Sequence, residues 1–324
     1  MILNLFYEEP EGDRWVLLDR HPRRIVRRML RGVPQPGGQQ RVFLNLCAGL
    51  DRIGVTYRIN DYDYARKHPA ELACIIGKPH VLDKVEWKNP ILFGAAVFSH
   101  PSDDPNLLER RPVRSILVPG NWMKEMWRPI WDEQIFVWPV GIDVDLWRPV
   151  ETARKQIDVL LYDKVRWDHD YHEGSLIEPI RRRLREFGKS FHEMRYGFYK
   201  EQEFQEALVR CRVMIFLCEH ETQGIAYQQA LSCGVPILAW DRGGFCQDPA
   251  LYPHRVKFGP VSSVPYWDSR CGKKFASIGE FDETWTQFWD EFKNQYYDPR
   301  SYILEKLTLE KCAEKYVRHA RSIK

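Results

Sequence analysis

Apolar runs and amphipathic stretches alternate along this chain. Ile2–Tyr7 is an apolar run closed by Glu8-Glu9-Pro10, the pattern of a short buried strand. A helical spacing carries Val42, Leu46 and Leu50 to a stop at Gly54, and the apolar segment Val55–Ile59 follows as a strand. Pro90–Phe98, Ser115–Pro119 and Ile135–Pro139 read as further buried strands, with a helix over Asn121–Trp131. A second series begins after Pro149. Its strands are Ile157–Tyr162, His192–Tyr196, Val213–Leu217 and Pro236–Trp240, and its helices Leu176–Phe187, Glu201–Cys211 and Gly224–Ser232. From Phe281 onward the pattern is mostly helical, with a break at Asp298-Pro299. Strands alternating with helices of this length predict an α/β protein, its parallel sheets covered by helices on both faces. Two series joined near residue 149 predict two doubly wound domains, 1–149 and 150–300, facing one another.

One element stands apart. Between Pro22 and Gly32, Arg23, Arg24, Arg27, Arg28 and Arg31 occupy one half of a helical wheel, and Ile25, Val26, Met29 and Leu30 the other. Such a basic amphipathic helix is either an ordinary solvated face or a patch that meets anionic lipid or a charged acceptor.

Composition changes the picture mainly by exclusion. Lys plus Arg number 48 against 45 Asp plus Glu in 324 residues, a formal charge of +3, so no electrostatic ground for a nucleic-acid partner exists. No apolar run reaches the roughly 18–20 residues of a bilayer span. The start, MILNLFYEEPEGDRW, lacks the basic and small-residue features of a signal peptide. The expectation is a soluble, cytoplasmic protein. Eight cysteines include no CxxC pair, which favours buried reduced thiols over a disulfide framework or a zinc site.

The segment Glu219-His220-Glu221-Thr222-Gln223-Gly224 leads from a buried strand into a helix. A helix N-terminus in that setting offers backbone N–H groups and a positive dipole end, the makings of a phosphate site. Glu221 and Gln229 lie one before the helix and one about two turns along it, so they can hold groups at either side of a diphosphate. Lys164 and Arg166, just past the first strand of the second series, are either solvated charges or fixed partners for that diphosphate. Gly37-Gly38 before a helix is a plain turn or a ligand loop. His100, at a strand end, reads by itself as an ordinary polar residue. Asp61-Tyr62-Asp63 and Asp143-Val144-Asp145 match the D-x-D pattern of metal sites in letters, and the first reads as a surface loop.

Glu221, Gly224, Ala230, Gly234 and Pro236 fall in register with the donor-site motif of the retaining GT-B glycosyltransferases of the E-x7-E type, which this chain resembles. Gln229 stands where that motif has its second Glu, the residue that holds the ribose hydroxyls; an amide also donates and accepts hydrogen bonds to a diol. Val140–Pro149 is similar to the family's interdomain segment, with Val140 in place of Asn and Trp147 in place of Phe, and there Asp143 has a structural role. Gly37-Gly38 resembles the family's N-terminal glycine loop, and Tyr196-Gly197-Phe198-Tyr199 the loop that packs on the nucleotide base. Lys164 and Arg166 match the basic pair at the diphosphate, and His100 a His near the transferred sugar.

The resemblance implies a GT-B fold: two Rossmann-like domains facing a central cleft, with a C-terminal helix (301–324) crossing back to the first domain. It implies an enzyme that moves a sugar from a nucleotide-diphosphate sugar, UDP- or GDP-linked, to a hydroxyl acceptor on a glycan, a lipid-linked glycan or a small molecule. Transfer would retain configuration and need neither metal nor other cofactor. Glu221 and His100 would be catalytic. Lys164, Arg166, Tyr196, Gly197, Phe198, Gln223, Gly224, Ile225, Ala226, Gln229, Gly37 and Gly38 would bind the donor. A lipid-linked acceptor would give the arginine face a peripheral contact at the inner membrane surface. The alternatives are a GT-B-like protein that binds a nucleotide sugar without turnover, and another GT-B enzyme such as a phosphorylase or epimerase.

Overall fold

Strands buried on both faces have no polar side, and that property places them in the middle of layered α/β structure. The computed structural model describes residues 2–9, 37–95, 100–150 and 154–323. The arginine-rich stretch at 23–31 lies outside the described residues. Strands β1 (Leu3–Phe6), β2 (Tyr57–Ile59), β3 (Ala73–Ile75), β4 (Ile91–Gly94), β5 (Val113–Val118) and β6 (Ile135–Val137) form one sheet in the order β2-β1-β3-β4-β5-β6. Strands β7 (Ile157–Asp163), β8 (Phe191–Arg195), β9 (Cys211–Leu217), β10 (Ile237–Trp240) and β11 (Gly272–Phe275) form a second, in the order β11-β10-β9-β7-β8. Every pairing in both sheets is parallel.

The main helices are α1 (Gly38–Arg52), α2 (Asn121–Trp131), α3 (Glu178–Glu186), α4 (Glu201–Arg210), α5 (Ile225–Ser232), α6 (Ile278–Lys293), α7 (Pro299–Lys306) and α8 (Leu309–Ser322). Each sheet carries one apolar cluster on either face. On the first, Leu46 and Leu50 pack on one side and Met123, Trp127 and Trp131 on the other. On the second, Phe204, Tyr227 and Leu231 face one side and Leu184, Phe281 and Trp285 the other. Strand order reverses beside β1 and beside β7, and at such points the loops leaving the C-terminal strand ends diverge to open a crevice.

Two strands had no signature in the sequence. β3 has three residues and β11 is the polar run Gly-Lys-Lys-Phe, so neither is long or regular enough to show a period. Both exist because a neighbouring strand supplies their hydrogen bonds. The strand expected over Pro90–Phe98 is described from Ile91 to Gly94, and 96–99 lie outside the described residues.

The helical C-terminus divides where the sequence breaks. Asp298 accepts a hydrogen bond from the Ser301 N–H (3.2 Å) and Pro299 takes the first helical position, so a new helix starts there. The single C-terminal helix expected over 301–324 is in fact two. α7 stays on the second domain, with Tyr302 and Ile303 in its core. The chain then crosses. The Ile142 N–H donates to the Leu307 carbonyl (2.8 Å) and the Leu309 N–H to the Ile142 carbonyl (3.2 Å), and α8 packs Ala313, Tyr316, Val317 and Ala320 into the first domain. The approach to α1 is close enough that a Cβ on Gly49 would lie 2.5 Å from the Leu309 carbonyl oxygen.

Candidate functional site

The C-terminal strand ends of the two sheets face a shared cleft of about 1120 Å³. Gly37, Gly38 and Arg41 line it from the first domain, as do Ala95 after β4 and Pro119 after β5. The second domain contributes the loops after β7, β8 and β9. Two helix N-termini point in from opposite sides. α1 is preceded by Gly37 and α5 by Gly224, and neither has a side-chain cap or an acidic residue in its first turn. Among the described residues no side chain caps their first N–H groups, and N–H groups so placed suit an anion.

Gly224 is required by the helix it starts. Its φ is +76°, and an added Cβ would lie 2.0 Å from Cε1 of Tyr227, which is fully buried beneath it. The closeness that forbids a side chain comes from the protein's own aromatic ring.

Among the described residues the cations that line the cleft are Lys164, Arg166, Arg41 and Lys200. Lys164 follows β7, and its Nζ forms an ion pair with the Glu221 carboxylate, both side chains nearly buried. Burial works against the ammonium's charge, but the Glu221 carboxylate outweighs it and holds Lys164 above the usual lysine value. The same Nζ lies 4.4 Å from the centre of the Tyr196 ring. Arg166 donates to the His220 carbonyl (2.8 Å), and Arg41 pairs with Glu201 from across the cleft. Glu221 itself is held along its backbone: its N–H donates to the Ser262 carbonyl (2.9 Å) and its carbonyl accepts from Trp122 Nε1 (2.8 Å).

Of the residues singled out in the sequence, Glu221, Lys164, Arg166, Tyr196, Gly197, Gln223, Gly224, Ile225, Ala226, Gln229, Gly37 and Gly38 all line this one cleft. Two do not. Phe198 is 78% exposed and lies in a separate groove beside β8 and α4, with the Arg195 guanidinium against its ring. His100 is buried, its Nδ1 accepting from the Ser102 N–H (3.1 Å) to cap the turn Pro101–Asp103. Gln223 reaches the cleft wall, but its amide is taken up by the protein: Oε1 accepts from the Val140 N–H (3.1 Å) and Nε2 donates to the Val140 carbonyl (3.2 Å). Both D-x-D matches are structural. Asp61 caps a short helix through the Tyr64 N–H, and Asp143 binds Arg52 and the N–H groups of Asp145 and Leu146.

Three residues went unassigned in the sequence. Glu219 is buried, and its Oε1 accepts from the N–H groups of Arg166 (2.8 Å) and Trp167 (2.9 Å), which ties the cationic loop to the Glu221 loop. A lone acidic residue two positions before Glu221 was the only sign of it. Arg41 is one polar position of α1 among several, and Trp122 lies in α2, 99 positions from the loop it holds, so neither carries a local signal.

No family model matches this chain, and no curated protein matches it in sequence. Its solved structural relatives are distant in sequence. A sucrose-phosphate synthase from Thermosynechococcus elongatus superposes with a TM-score of 0.57 at 12% identity, over 88% of this chain and 93% of the other. A lipopolysaccharide outer core galactosyltransferase superposes with a TM-score of 0.51 at 12% identity, over 99% of each chain. The fold is GT-B. GT-B architecture accounts for the interdomain cleft and for the return of α8 to the first domain. The chain also spans 56% of a longer chain in the accessory secretory protein 1,2 and 3 structure of Streptococcus pneumoniae, covering 81% of its own length at 14% identity and a TM-score of 0.47. At these identities the likeness is one of fold alone. Among the described residues no helix is long and apolar enough to cross a membrane.

Proposed function

We propose that this GT-B protein is a glycosyltransferase that moves a sugar from a UDP- or GDP-linked donor to a hydroxyl acceptor. One observation carries the reading: two helix N-termini, one from each domain and without a side-chain cap among the described residues, meet Lys164, Arg166 and Arg41 in one cleft. That is a site for a compact, multiply charged anion, and the leaving nucleoside diphosphate is such an anion. During transfer the bond from the anomeric carbon to the phosphate oxygen breaks, the bond to the acceptor oxygen forms, and negative charge grows on the diphosphate. Lys164 Nζ, the Arg166 guanidinium and the N–H groups of α5 are fixed positive partners for that charge, and this preorganised field does the work of a metal ion. Glu221 faces the transferred sugar, and Gln229, at the cleft wall two turns along α5, faces the ribose. Retention of configuration follows the family resemblance. The two fold relatives, a sucrose-phosphate synthase and a galactosyltransferase, support sugar chemistry in the cleft. With a lipid-linked acceptor, the arginine-rich segment at 23–31 would make a peripheral contact with the inner membrane face.

Gln229 favours a second reading, a protein that binds a nucleotide sugar without turning it over. Titration calorimetry with UDP and GDP, followed by donor hydrolysis assays, separates the two. Binding with turnover supports the enzyme, and binding without turnover supports the second reading. Absence of binding to either nucleotide refutes both.

A further inference from the structure

We propose that Trp122 is a positioning residue for Glu221, through which the first domain sets the orientation of a carboxylate carried by the second. The inference rests on the glycosyl-transfer reading of the cleft and adds to it a residue that touches neither donor nor acceptor.

The loop between β9 and α5 has no regular structure of its own, and its shape is imposed from outside. The second domain grips it through the Glu221 N–H, which donates to the Ser262 carbonyl (2.9 Å). Three consecutive positions are then met from the first domain. At Glu221 the carbonyl accepts from Trp122 Nε1 (2.8 Å). At Thr222 the carbonyl sits so close to Gly120 that a Cβ there would lie 3.0 Å from it. At Gln223 the side-chain amide pairs with both the N–H and the carbonyl of Val140. Trp122 is further located by an edge-on contact with His220, ring centres 5.4 Å apart.

An indole nitrogen only donates, so Trp122 has one polar task here, and it is spent on the Glu221 backbone. The two peptide groups that flank the Glu221 Cα are held by different domains, the N–H by the second and the carbonyl by the first. Separation of the domains releases the second hold and leaves Lys164 and the α5 N-terminus intact, because those lie within the second domain. Loss of the Trp122 hold therefore removes no positive partner of the nucleotide, and Trp122 makes placement of the carboxylate depend on domain closure.

Trp122→Phe keeps an aromatic ring and removes the donor; Gly120→Ala adds a methyl group against the Thr222 carbonyl and leaves Trp122 in place. Amide hydrogen exchange of residues 219–224 is measured in both variants and in the full wild-type chain, together with UDP and GDP affinity and steady-state donor turnover. Exchange over 219–224 is expected to quicken while β5 and β9 stay protected. The turnover rate should fall about tenfold, with nucleotide affinity unchanged or higher, because a loosened Glu221 competes less for Lys164. Unchanged exchange over 219–224 in Trp122→Phe overturns the inference, and so does a loss of protection spread over both domains. A fall in nucleotide affinity matching the fall in turnover also overturns it. If wild type binds neither nucleotide, the functional reading fails, while the exchange measurement still decides whether Trp122 holds this loop.

Discussion

Replacing Glu221 by Gln perturbs the buried ion pair at the floor of the cleft. Lys164 and Glu221 pair directly, with 11% and 8% of their side chains exposed. A diphosphate entering the cleft competes with Glu221 for the ammonium and is repelled by its carboxylate. At an effective dielectric constant of about 20 and a separation of ~7 Å, one unit of phosphate charge and the carboxylate repel by roughly 2 kcal/mol. Glu221→Gln removes that repulsion and leaves the ammonium for the ligand, so UDP or GDP should bind at least tenfold more tightly, about 1.4 kcal/mol. The unliganded variant carries the opposite effect. Without its partner, Lys164 keeps the burial that disfavours its charge and loses the carboxylate that offset it, so the fold should lose about 3–5 kcal/mol. Nucleotide then stabilises the variant by more than it stabilises wild type. Titration calorimetry measures the affinity, and urea denaturation with and without nucleotide measures the stabilisation. Donor turnover should be lost in the same protein. Equal or weaker nucleotide binding by a folded Glu221→Gln protein would refute the argument, because Lys164 would then not face the phosphates.

Three further predictions concern single positions. Gln229→Glu should leave UDP or GDP affinity equal or improved, since Gln229 lines the cleft wall where a ribose diol would lie; a tenfold loss, about 1.4 kcal/mol, would assign it another role. Gly224→Ala should destabilise the protein by at least about 2 kcal/mol in chemical denaturation, from its positive φ and the collision with Tyr227, and a change under about 0.5 kcal/mol would contradict that geometry. His220 is pushed down to about 3 by burial and by Arg166 and Arg242, so it stays neutral in the folded protein while the unfolded chain takes up a proton as pH falls below its ordinary value of 6.5. Stability from this group is complete above pH 6.5 and is lost toward pH 3. Between pH 7 and 5 wild type should therefore lose about 2 kcal/mol more than His220→Gln, and equal losses in urea melts would show that His220 does not titrate this way.

The layered architecture was legible because burial on both faces leaves a continuous apolar run, and most strands are such runs. Val213–Leu217 and Pro236–Trp240 are found close to their expected ends. β3 and β11 were not legible, because three or four residues carry no period and a partner strand makes them. The split between α7 and α8 was missed for a related reason. Leu307-Thr308 contains no Gly or Pro. Thr308, which accepts from the Lys311 N–H (3.3 Å) to cap α8, is the local mark of the new start. Ile142 of the domain junction takes the backbone hydrogen bonds of Leu307 and Leu309.

For the candidate site, order along the chain revealed the local chemistry. A glycine after a strand and before a helix marks an N-terminus whatever surrounds it, and so Glu221, Gly224 and Gln229 stood out. Distances between segments were decided by the tertiary structure. Lys164 meets Glu221 because β7 and β9 are neighbours in the second sheet, and Phe198 turns away while Tyr196 and Tyr199 turn in. Trp122 reaches the Glu221 backbone only because two domains close on one another. Propensity and dipole belong to a stretch of chain, and the sequence sufficed for them. Which charge opposes which, and which indole holds which carbonyl, depends on packing between residues some 50 to 100 positions apart, and only the folded molecule supplies that.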